Sequence, residues 1–142
     1  GRIAMTGAIL VAGYLGINPP GFAAEVVALA FGLAASSLFP ALLMGVFSKR
    51  MNREGGIAGM LAGLTVTIVY IFLYKGVFFV PGTNLFADSA ANWMFGIQPE
   101  SFGAIGALIN FVVAFLVSRA TAAPPAHVRE LVENVRVPGV LR

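Results

Sequence analysis

The sequence predicts an all-α membrane protein with about four transmembrane helices, and three observations lead there. Hydrophobic residues make up 58% of the 142 residues and charged residues 11%, with a mean hydropathy of +0.89. A soluble domain of this length has too little interior to hide that much apolar surface. The apolar residues fall in long runs separated by turn-rich segments, and Lys and Arg stand at the ends of those runs. Because the basic residues are not interleaved with aromatics on one polar face, the formal charge of +3 reads as a topology signal and not as a nucleic-acid surface. No cysteine is present, which excludes disulfides and thiolate metal sites.

The expected spans are about 3–17, 22–47, 57–80 and 102–118, followed by a cytoplasmic tail over 122–142. The first run, Ile3 to Ile17, covers roughly 22 Å as a helix and falls short of a bilayer core. The simplest expectation is that it begins upstream of Gly1, so that the chain is a piece of a longer protein. A signal peptide flanked by Arg2 is the competing reading, but Asn18-Pro19-Pro20-Gly21 lacks a small-x-small cleavage pattern. That tetrapeptide forbids helix and predicts a tight turn.

The second run is the one the others are organised around. From Val26 to Phe47 it has no charge, and at 1.5 Å per residue it spans roughly 33 Å, enough for the hydrocarbon core. Ala28, Gly32 and Ser36 recur every fourth position and form a flat stripe for a neighbouring helix. Pro40 has no N–H, so it predicts a kink and leaves the Ser36 carbonyl without its helical partner in mid-membrane. That carbonyl must bond to something, and the hydroxyls of Ser36 and Ser37, another helix or a hydrated cavity are the candidates. Glu25, near the start of this helix, reads either as an interfacial carboxylate favoured by the helix dipole or as a residue facing a water-filled opening.

The segment Ser48 to Gly56 carries Lys49, Arg50 and Arg53 against Glu54 and is expected to be cytoplasmic. The third span opens with Gly55, Gly59 and Gly63, a small-xxx-small packing face. Lys75 ends it beside Tyr74, where a long side chain can snorkel to headgroups. Between Pro81 and Gln98 the chain is polar and turn-rich, and Ala90 to Phe95 is expected to be a short interfacial helix anchored by Trp93. Pro99-Glu100-Ser101 starts the fourth span. Asn110 sits near its centre, where an amide is expected to bond to a neighbouring helix. In the tail, Val128, Leu131, Val132 and Val135 follow an amphipathic helical period that Pro138-Gly139 ends. His127 is expected to be solvated there.

Charge supports the parity. With Arg2, the 48–56 loop and the tail inside, every Lys and Arg except Lys75 is cytoplasmic, while Glu25, Asp88 and Glu100 lie outside. The expected location is the plasma membrane of a bacterium, multi-pass, with the C-terminus cytoplasmic. No predicted span contains a carboxylate pair, a histidine or a cysteine, so neither catalysis nor a metal site is expected. Gly7, Gly13 and Gly16 lie within an apolar run and are not a nucleotide loop.

The stretch Ala34-Ala35-Ser36-Ser37-Leu38-Phe39-Pro40, followed by Leu42-Leu43-Met44, Phe47-Ser48-Lys49-Arg50 and Gly59-Met60-Leu61-Ala62-Gly63, resembles the sodium/solute symporter family, in its cation/acetate symporter branch. Val132 to Pro138 is similar to the C-terminus of that branch. The resemblance implies the C-terminal part of an inverted-repeat, LeuT-like symporter working by alternating access. It implies a small monocarboxylate such as acetate as substrate, sodium or another monovalent cation in the full transporter, and no cofactor within this segment. The implied partners are membrane lipid and the remaining helices of the parent transporter. It also places Ser36 and Ser37 on the substrate side of the organising helix and Glu25 in an outer gate or vestibule; no sodium ligand carries over. The alternative from another class is a self-contained four-helix membrane protein with an assembly or scaffolding role.

Overall fold

A computed structural model of the chain describes residues 1–18, 23–80 and 82–134. The expected turn over Asn18-Pro19-Pro20-Gly21 lies largely outside the described residues, and so does the end of the tail from Val135. Among the described residues the order is α1 (Arg2–Ile17), α2 (Ala23–Phe47), α3 (Arg53–Lys75), α4 (Gly103–Ala120) and α5 (Ala126–Asn134), with short 3₁₀ turns at Val77–Phe79, Met94–Gly96 and Pro99–Ser101.

Among the described residues three helices are long and apolar enough to cross a membrane: Ala24–Phe47, Arg53–Lys75 and Pro99–Ala120. Helix α1 has 16 residues and falls short. It buries no residue and packs on no other described element, with Ile3, Ile9 and Ile17 all open. Helices α2, α3 and α4 pack on one another and form the body of the molecule.

The third helix differs from expectation at both ends. Asn52 takes extended backbone and its side chain accepts a 2.8 Å bond from the Gly55 N–H, so α3 starts at Arg53, before the apolar residues begin. At the other end Gly76 has φ 86, which closes the helix after Lys75 instead of letting it run to Val80. The expected helix over Ala90 to Phe95 is absent: the segment is a series of turns, and Phe95 adopts φ 59.

Close approach of backbones explains the packing. Gly55, Gly59, Gly63 and Thr67 form the buried stripe of α3, and Gly103, Gly106, Asn110, Ala114 and Ser118 form that of α4. A Cβ on Gly63 would collide with the Ser36 carbonyl oxygen of α2 and stand 2.7 Å from the Gly106 carbonyl oxygen of α4, so all three backbones converge there. Near the Lys75 end, Gly32 and Gly103 bring α2 and α4 together in the same way.

The segment between α3 and α4 is tied down by aromatic residues. Tyr70 stacks on Phe102 with centroids 3.6 Å apart and donates to the Ile97 carbonyl at 2.8 Å. Tyr74 donates to the Asn92 carbonyl at 2.8 Å and accepts from the Met94 N–H at 3.1 Å. Trp93 is partly buried and packs against this cluster.

Candidate functional site

Two groups of polar residues stand out, one at mid-height and one at the Lys75 end. At mid-height α2 runs on through Pro40, and the Ser36 carbonyl that the proline leaves free accepts a 2.9 Å bond from Asn110 Nδ2 of α4. The same nitrogen donates to the Ser37 carbonyl at 2.8 Å. Asn110 is fully buried, and its other amide atom, Oδ1, is buried without a hydrogen-bond partner against Gly59. An amide in the middle of the fourth span thus acts as interhelical glue, and its target is the carbonyl that the proline had orphaned.

The hydroxyls are used locally. Ser36 Oγ and Ser37 Oγ both donate to the Leu33 carbonyl, at 3.0 and 2.8 Å, and both residues are buried against the facing helices. Donation to a substrate carboxylate, as the resemblance leads one to expect, would require these hydroxyls to leave Leu33. As the chain is arranged, they close a packed joint.

At the other site Lys75 gathers acids from three separate stretches of chain. Its Nζ lies 2.5 Å from Glu100, 3.0 Å from Asp88 and 3.8 Å from Glu25. The Lys75 side chain is only 14% exposed, so it does not snorkel freely to headgroups as the sequence suggested. Asp88 is held from its other side by Trp93, whose Nε1 donates to Oδ1 at 2.7 Å. A cavity of about 440 Å³ opens here, lined by Glu25, Lys75, Asp88, Trp93, Gln98 and Glu100 among others. Three carboxylates against one ammonium leave a formal charge of −2, which favours cations in the cavity and disfavours anions. Glu25, one of the residues singled out in the sequence, is part of this group. Lys75, Asp88 and Glu100 were not singled out as a site, although the charge-based topology puts all four at the same end and a lone cation among three acids invites pairing.

The sodium:solute symporter family model matches residues 2–63, which hold α1, α2 and the glycine-rich start of α3. An uncharacterized symporter of Cupriavidus necator is 38% identical over 135 residues, 95% of this chain and 19% of the relative. A sodium/proline symporter of Staphylococcus aureus is 27% identical over 136 residues, 96% of this chain and 24% of that protein. The osmoregulated proline transporter of Bacillus subtilis is 30% identical over 71 residues, half of this chain. The chain therefore spans about a fifth of the length of these curated relatives. No solved structure matches it. The relatives carry symporter and proline-transporter names, and none of these names shows the acetate branch.

Proposed function

We propose that this chain, whose residues 2–63 match the sodium:solute symporter family model, works as part of a cation-coupled secondary transporter for a small carboxylate-bearing solute. The family match and the three long apolar helices support a part in a multi-pass membrane transporter. The observation that carries the reading is the coincidence of the family match with a membrane helix that holds an internal proline and a backbone carbonyl freed by it, bonded from α4.

In this reading the end bearing Lys49, Arg50, Arg53 and Arg119 is cytoplasmic and the Lys75 end is outside, in the inner membrane of a bacterium. Glu25, Asp88 and Glu100 then line an outer vestibule whose excess negative charge concentrates sodium or another monovalent cation. Lys75 holds α2, the 82–98 segment and the start of α4 together across that vestibule. Ser36, Ser37 and Pro40 act first as a structural joint, and substrate contact at the two hydroxyls belongs to a state in which they have left Leu33. Acetate, from the resemblance, and proline, from the names of two relatives, both present the carboxylate this reading calls for.

The test is uptake into proteoliposomes containing the full-length parent protein. Radiolabelled acetate and proline are compared with and without an inward sodium gradient. Gradient-dependent accumulation of either solute is expected, and failure of every small carboxylate tested to accumulate under any cation gradient would overturn the proposal.

A further inference from the structure

The end of the bundle opposite Lys75 has a small cavity lined by two arginines and two serines, beside an apolar groove. Arg50 Nη2 donates to the Arg119 and Thr121 carbonyls at 3.2 and 3.0 Å, closing the C-terminus of α4. The other amino nitrogen of the same guanidinium, Nη1, is buried and has no hydrogen-bond partner. Such a group costs free energy unless something accepts from it. Arg50 is one of the residues lining a cavity of about 140 Å³, with Ser48, Ser118, Arg119, Met44, Met51 and Phe115. Ser118 Oγ donates there to Met51 Sδ at 3.3 Å, a weak acceptor that a better one would displace. Arg119 stands over the Phe115 ring, with Cζ 4.1 Å from its centroid. Among the described residues no carboxylate lines this cavity.

Met44 and Phe115 also line an apolar groove of about 320 Å³ formed with Phe111, Val112 and Leu116, so the two spaces adjoin along the face shared by α2 and α4. Val112 and Leu116 are more than half exposed and lie on a membrane-spanning helix. A donor-rich pocket at the membrane boundary continuous with an apolar trough inside it matches one kind of molecule. We propose that an anionic phospholipid binds here, its phosphodiester accepting from Arg50 Nη1, Ser118 and Arg119 and one acyl chain lying in the groove. Arginine suits the role because its planar fork can bond carbonyls with one nitrogen and phosphate oxygens with the other. The cytoplasmic leaflet, where the proposed orientation puts this end, is the anionic one.

Native mass spectrometry of the delipidated full chain tests this with three probes: phosphatidylglycerol, phosphatidylcholine with the same acyl chains, and glycerol phosphate without chains. Phosphatidylglycerol is expected to bind at least tenfold more tightly than phosphatidylcholine, and glycerol phosphate far more weakly than either. Arg50→Gln would also release the end of α4, so Arg119→Gln carries the test of charge; it is expected to remove most of the preference for phosphatidylglycerol. Val112→Trp, which fills the groove, is expected to weaken both lipids alike. Equal affinity for the two lipids, an unchanged preference in Arg119→Gln, or glycerol phosphate binding as tightly as phosphatidylglycerol would each overturn the proposal.

Discussion

At mid-height Asn110 reaches the Ser36 and Ser37 carbonyls through neutral hydrogen bonds among buried neighbours, whereas at the end of the bundle Lys75 draws in Glu25, Asp88 and Glu100 beside an open cavity. Both joints tie α2 to other helices, but they answer different needs. The first exists because a proline removed a backbone donor in a place without water, and its partner had to come from protein. The second exists because charges at a membrane boundary can stay ionised if they pair, and water still reaches part of it. Salt should therefore weaken the Lys75 group and leave the Asn110 joint unaffected.

The largest effect should come from changing the surface that lets both joints form. Gly63→Leu forces a side chain between the Ser36 and Gly106 carbonyls, so it should cost about 3 kcal/mol or prevent the bundle from forming. Val69, which is half exposed, should tolerate Leu with a change of roughly 0.5 kcal/mol or less. Thermal unfolding in detergent compares them, and equal losses would remove the packing argument.

Next in size is Lys75→Met. It leaves three carboxylates together without their cation, and with the lysine mostly buried the loss should be about 2 kcal/mol. Adding the charge-neutralising Glu100→Gln should recover part of it, since like-charge repulsion is then relieved. A double variant no more stable than Lys75→Met alone would mean that Lys75 acts through packing and not through charge.

How far the sequence carried these features depends on whether their cause is local. The Pro40 defect and the central amide of Asn110 were both legible, because a missing N–H and an amide at membrane depth each announce an unmet bond. That they satisfy each other was not legible, since it depends on how α2 and α4 lie side by side. The same holds for Lys75, whose acids come from three distant stretches of chain and show no shared period. Hydropathy placed the start of the third helix too late because its first turn is polar and rests on the Asn52 cap, a signal in the Asn52-Arg53-Glu54-Gly55 sequence that an apolar count passes over. The 82–98 segment misled for a related reason: the helix expected over Ala90 to Phe95 is replaced by turns that hydrogen-bond to Tyr70 and Tyr74, partners that come from α3 and leave no local signal.

The smallest effect belongs to the exposed pair at the basic end. Lys49 bonds to Glu133 of α5, but both side chains are more than half exposed, so Lys49→Gln should change stability by no more than roughly 0.5 kcal/mol. Helix α5 also sets Val128 and Val132 half-buried while leaving Leu131 open. Leu131→Asp should therefore disturb hydrogen exchange in the tail less than Val128→Asp does. The opposite order would show that the tail docks through a different face.

The most direct measurement of the account is a double-mutant cycle between Pro40 and Asn110. If Asn110 is there to satisfy the carbonyl that Pro40 orphans, Pro40→Ala supplies an N–H for Ser36 and makes the amide partly redundant. Asn110→Ala should then cost about 1–2 kcal/mol beside Pro40 and less than half of that in the Pro40→Ala background. Equal costs in the two backgrounds would contradict the account, because the amide and the proline would then be independent features of the same two helices.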